Sequence, residues 1–167
     1  MEDRLVIDFL YVDLDECERC QSSDETLDKG LRELREEIHQ NDIPTITINK
    51  TKITSDEEAE KHDLIRSPTL RINDVDIEEI VNEDYEIKDN YCPSCGDVTG
   101  PECYEITGGG NECRVFEYDG DTYETIPKGM IKEAIREVVG IEVKNSSDCC
   151  ESQTKTSSCC ETTSSCC

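Results

Sequence analysis

Residues 4–15, RLVIDFLYVDLD, constrain this chain more than any other stretch. The run is rich in β-branched and aromatic side chains and is apolar almost throughout. A strand with one wet face alternates apolar with polar residues, whereas a near-continuous apolar run belongs at the centre of a sheet covered on both faces. The predicted class is therefore α/β, a mixed sheet flanked by helices.

The following segments supply the expected elements. Within 17–40, Leu27, Leu31, Leu34 and Ile38 fall at i, i+4, i+7 and i+11, one face of a helix. Ser22 and Glu25 have the spacing of a capping box, although the helix can also begin at the cysteines before them. Ile43, Ile46 and Ile48 mark a second strand over 43–53. Residues 55–65 read as a short acidic helix capped by Ser55 with Glu58. SPTLRINDVDIEEI, 67–80, reads as a strand, an Asn73-Asp74 turn and a short extended piece. Asp119-Gly120 centres a β-hairpin over 113–126. Residues 127–140 form a last helix, with Pro127 in its first turn and Gly140 as its stop. The order implies one small sheet with helices on both faces.

Two segments stand apart. Residues 81–112 hold CPSCGDVTGPEC and a Gly108–Gly110 run, with little periodicity, and read as an inserted Cys-rich segment. Residues 144–167 are Ser, Thr, Cys and charge in imperfect repeats, which predicts disorder. The expected domain is thus 1–143, with 81–112 inserted and 144–167 a tail outside the fold.

Charge and cysteine usage narrow the function. Acids outnumber bases 41 to 17, for a net charge of −24. Nucleic acid and anionic lipid both require Lys and Arg, so neither is an expected partner. Met1-Glu2-Asp3 does not resemble the start of an export signal, and no run approaches the ~20 apolar residues of a membrane span. A cytoplasmic location is expected, and there twelve cysteines point to metal or redox chemistry rather than structural disulfides.

Cys17-Glu18-Arg19-Cys20 lies where the first strand feeds the first helix. The unpaired N–H groups and dipole of a helix N-terminus stabilise a thiolate, and this position predicts an exposed first sulfur. A second thiol three residues on can resolve a mixed disulfide or share a metal. Asp15, Glu16 and Glu18 oppose the thiolate and Arg19 offsets them only in part, so a mild nucleophile is expected.

Strand, CERC, helix, strand, helix, SPTLRIN, hairpin and final helix together resemble the thioredoxin-like superfamily over roughly residues 4–140. CERC, SPTLRIN and CRVFEYDGDTYETIPKGMIKEAIREV resemble most a small thioredoxin-like family of archaea and bacteria with no established activity. The resemblance implies Cys17 as attacking thiol, Cys20 as resolving thiol and Pro68 as a cis-proline facing them. It implies no cofactor for the redox step. Thioredoxin itself carries Trp-Cys-Gly-Pro-Cys; the absence of Trp and the Glu-Arg pair here leave potential and partners open.

Cys92-Pro-Ser-Cys95-Gly96 is shaped like a zinc knuckle, because two intervening residues let both sulfurs reach one tetrahedral ion. Cys103 and Cys113 are the nearest further ligands. The irregular spacing leaves disulfides, or a second dithiol relaying electrons to Cys17 and Cys20, as alternatives. In the tail, Cys149 and Cys150, Cys159 and Cys160, and Cys166 and Cys167 are adjacent pairs. Adjacent cysteines rarely bond each other, since the small ring distorts the peptide, but they suit one soft ion such as Cu(I), Zn, Cd, Hg or As(III). All six are therefore candidate ligands. The tail resembles the vicinal-cysteine segments of arsenic metallochaperones and metallothioneins, although those metallochaperones carry theirs near the N-terminus.

His39 and His62 fall on polar helix surfaces, and the glycine run lacks the Lys of a phosphate loop. The expected function is a thiol-disulfide oxidoreductase acting on protein dithiols or disulfides and linked to soft-metal or metalloid handling. The alternatives are a non-catalytic metal chaperone or sensor, and a plain interaction module.

Overall fold

A computed structural model describes residues 4–15, 17–43, 45–92, 106 and 112–141. Strand β1 (Arg4–Tyr11) leads into helix α1 (Glu18–Gln40), which returns the chain to β2 (Thr45–Lys52) parallel to β1. The short helix α2 (Asp56–Lys61) precedes β3 (Thr69–Ile72), antiparallel to β1 on its other side, and the two-residue β4 (Val75–Asp76) completes the sheet. Its order is β2-β1-β3-β4, so β1 is central, as the apolar run requires.

The chain continues through α3 (Ile77–Val81), β5 (Lys88–Tyr91), β6 (Glu112–Tyr118), β7 (Asp121–Tyr123) and α4 (Lys128–Val139). Three expectations are corrected here. Strands β5, β6 and β7 form a separate three-stranded sheet instead of extending the first. Residues 77–81 are helical, not extended, because Asp76 caps them: its Oδ1 accepts the Glu78 N–H at 3.0 Å. Residues 88–91, placed in a loop-rich insertion, pair with β6 from Lys88–Val115 to Tyr91–Glu112.

Local chemistry explains the remaining boundaries. Helix α1 begins at the cysteines, with Cys17 as N-cap, so Ser22 and Glu25 lie inside it. Ser55 caps α2 by accepting the Glu58 N–H at 3.2 Å, and Glu58 reaches back to the Thr54 N–H at 2.8 Å. Both tight hairpins use left-handed pairs: Asn73-Asp74 at φ 49° and 66°, and Asp119-Gly120 at 52° and 82°. Gly140 stops α4 at φ 72°.

The core has two parts. Leu5, Ile7 and Phe9 of β1 pack with Leu27, Leu34 and Ile38 of α1 and with Met130, Ile131, Ala134 and Ile135 of α4. Leu10 and Val12 instead join Ile53, Ala59, Leu64, Cys92, Ile106 and Cys113. Val6 and Asp8, on the opposite face of β1, are only half-buried. The second face is therefore fully covered only toward the C-terminal end of β1, the end that delivers the chain to Cys17. Among the described residues no helix is long and apolar enough to cross a membrane.

Candidate functional site

Four cysteines lie among the described residues, and all are buried: Cys17, Cys20, Cys92 and Cys113. Cys17 caps α1, and Cys20 sits in its first turn. The expected exposure of the first sulfur is corrected, because Cys17 is 1 % exposed. Arg19, in the same turn, is covered as well. Its side chain does not point to solvent but is itself buried, and it donates to the Tyr91 carbonyl at 3.0 Å and the Cys113 carbonyl at 3.3 Å. It also forms an ion pair with Glu124 at 2.9 Å, whose own side chain is exposed. These bonds draw the ends of β5 and β6 and the segment after β7 against the first turn of α1.

Cys20 meets the segment that carries Pro68. The Cys20 Sγ and Ser67 Oγ are 3.4 Å apart in a hydrogen bond, and both residues are at most 2 % exposed. Ser67 and Pro68 are joined by a cis peptide bond, and Pro68 is buried. The fold thus brings Cys17, Cys20 and the Ser67–Pro68 segment together at one end of the central sheet.

Arg114 holds that segment from both sides of Pro68. Its backbone N–H donates to the Ser67 carbonyl at 3.1 Å, and its guanidinium donates to Thr69 Oγ1 at 3.1 Å. The same fully buried guanidinium forks onto Asp76 at 2.7 and 2.6 Å, reaches Glu78 at 3.1 Å and lies 4.6 Å from the Phe116 ring centre. A bidentate carboxylate is the partner that lets a guanidinium survive burial. Burial pushes the Glu78 carboxyl above its ordinary range, with Arg114 pulling the other way. Burial opposes the charge on Arg114, but the bond to Asp76 and the nearby carboxylates outweigh it and raise its pKa.

Of the expected insertion ligands, Cys92 and Cys113 share one apolar cluster. Cys92 follows Tyr91 at the end of β5, and Cys113 pairs across the ladder with Asn90. Cys95 and Cys103 lie outside the described residues. So do all six expected tail ligands, Cys149, Cys150, Cys159, Cys160, Cys166 and Cys167. Among the described residues no three His, Cys, Asp or Glu side chains gather as a metal site. His39 is exposed and His62 half-exposed, as expected of solvated helix positions.

Sequence reasoning missed the roles of Arg19, Ser67 and Arg114. The available signal was a charged residue inside CRVF, where four successive positions, Cys113 to Phe116, are buried. A buried cation there requires buried acids, and VDIEE supplies them.

Comparison with protein-family models shows the family. The chain belongs to the family described as Domain of unknown function (DUF2703), whose model matches residues 5–135. Neither the curated proteins nor the solved structures compared with the chain gave a match.

Proposed function

We propose that this member of the DUF2703 family is a thioredoxin-like thiol-disulfide oxidoreductase, with Cys17 as attacking thiol and Cys20 as resolving thiol. One observation carries the reading: a CxxC at the N-terminus of the helix after a central strand is hydrogen-bonded, through Cys20 and Ser67, to the buried Ser67–Pro68 segment. The parallel β1–β2 pair with antiparallel β3 and β4 supports the thioredoxin-like assignment. In this reading Cys17 attacks a partner disulfide, forms a mixed disulfide and releases one partner thiol. Cys20 then attacks Cys17, releases the second thiol and leaves a Cys17–Cys20 disulfide. Each turnover transfers two electrons and two protons to the partner. Zinc at Cys92, Cys95, Cys103 and Cys113 belongs to the same proposal as thiol-dependent metal handling. So does soft metal or As(III) on the tail pairs Cys149 and Cys150, Cys159 and Cys160, and Cys166 and Cys167.

The burial of Cys17 favours a second reading, a non-catalytic metal or metalloid chaperone or sensor, because a covered thiol reacts slowly with a protein disulfide. The two separate cleanly. Under the first, Cys17→Ser abolishes reduction of a model protein disulfide while the fold persists. Under the second, reductase activity is near zero throughout, and truncation to 1–143 removes most bound soft metal.

A further inference from the structure

Two residues, Glu18 and Arg19, separate the cysteines of this CxxC. Here Arg19 is 5 % exposed, and its guanidinium is spent on the backbone of another part of the molecule. Its two carbonyl acceptors belong to Tyr91, which precedes Cys92, and to Cys113 itself. A second path runs in parallel. Cys20 is bonded to Ser67, and the Ser67 carbonyl accepts the N–H of Arg114, the residue that follows Cys113. Cys92 and Cys113 are each 1 % exposed within the apolar cluster that also contains Leu10 and Val12, the end of the chain's run into the CxxC. Two hydrogen-bonded routes and one packed cluster therefore join the peptides of one cysteine pair to those of the other.

We propose that Arg19 is a positioning residue that makes Cys17/Cys20 and Cys92/Cys113 one coupled thiol unit, so that a change at the second pair alters the disulfide equilibrium of the first. The proposal rests on the reversible Cys17–Cys20 disulfide argued above and adds a second site to it. Coupling of this kind is a difference in free energy between two arrangements of shared contacts, and it acts equally in both directions. Arg is suited to the role because its planar fork meets two carbonyls and a carboxylate at once, whereas the single ammonium of Lys does not.

The test is a double-mutant cycle on the full-length protein. The fraction of Cys17–Cys20 disulfide is measured across glutathione buffers by alkylation and mass spectrometry. The variants are wild type, Cys92→Ser/Cys113→Ser, Arg19→Met and all three changes together. Removing the second pair is expected to shift the equilibrium constant at least threefold when Arg19 is present and less than half as far when it is Met; contacting residues couple by factors of about 2 to more than 100. Arg19→Lys is expected to behave as Arg19→Met. Equal shifts in both backgrounds, or no shift in either, overturn the proposal, and so does rescue by Lys.

A second readout is independent of the oxidoreductase reading. In reduced protein, alkylation of Cys92 by iodoacetamide is expected to accelerate at least tenfold in Arg19→Met and to change little in Glu124→Gln, which keeps both carbonyl bonds. Unchanged protection in Arg19→Met overturns the positioning role even if Cys17 and Cys20 never form a reversible disulfide. Loss of the reversible disulfide alone, with the expected change at Cys92, refutes the oxidoreductase reading and leaves the positioning role standing.

Discussion

Replacing Arg114 by Met is the most severe single test of how the site is held. The guanidinium is fully buried, and its bonds to Asp76, Glu78 and Thr69 end on groups that are themselves nearly closed to solvent. Met fills much of the same space and keeps the backbone N–H to Ser67, so the substitution mainly deletes charge and donors. It leaves two carboxylates facing each other in a dry site. Removing one partner of a buried ionic cluster costs about 3–5 kcal/mol, which is a large share of the ~5–15 kcal/mol that holds a domain of this kind. Urea unfolding at pH 7 under reducing conditions measures it. The loss must shrink toward pH 4, because protonating Glu78, whose carboxyl burial already pushes up, relieves part of the uncompensated charge. Adding Asp76→Asn and Glu78→Gln must recover about half of the loss or more, since neutral amides remove the orphaned charges while leaving the α3 cap an acceptor. A loss under 1 kcal/mol, or one independent of pH, refutes the argument that this cluster is an electrostatic clamp on the Pro68 segment.

Three further outcomes follow from named contacts. Burial raises the Glu78 pKa in the folded state, so the folded protein binds this proton more tightly than the unfolded chain does. Ionising Glu78 therefore costs stability as the pH rises past its unfolded value near 4.5, so the stability of Glu78→Gln relative to wild type must rise from pH 4.5 upward and level off below it, as read by urea midpoints. The Tyr118 phenol is pushed up to about 12 by burial and by its 2.6 Å bond to Glu133, so its phenolate absorbance must appear only near that pH, and earlier in Glu133→Gln. Gly140→Ala must cost about 1 kcal/mol in thermal or urea unfolding, because an L side chain pays that much at a left-handed φ.

Much of the frame was legible from periodicity and turn chemistry. The central position of β1, the face of α1, both left-handed turns and the last helix all follow from patterns that local physics enforces. Pro68 and the CxxC were legible as a motif, and the structure brings the segments that carry them together. Strand β5 was not legible because Lys-Asp-Asn-Tyr has no apolar alternation. It is held by the ladder to β6 and by ion pairs between Arg66 and Asp89 and between Lys88 and Glu117, and none of these shows in a local window. Helix α3 was hidden because Ile77 and Ile80 suit an extended piece as well as a single helical turn; the Asp76 cap decides it. The burial of Cys17 was missed for a different reason. Position at a helix N-terminus fixes which groups face a sulfur along the chain, but it does not show what packs on that turn, where Arg19 bonds to β5, β6 and Glu124, roughly 70 to 105 residues away.

That burial also sharpens the functional question. A covered thiol pair coupled to a second covered pair is suited to slow, gated exchange rather than to rapid general reduction. The most direct test equilibrates anaerobically purified full-length protein with graded glutathione buffers and follows Cys17 and Cys20 by site-resolved alkylation and mass spectrometry. The account predicts that the two thiols disappear together as one reversible two-electron couple, and that Cys17→Ser leaves Cys20 unable to form it. Independent oxidation of the two, or thiols that stay reduced at every ratio while the protein holds soft metal, would contradict it.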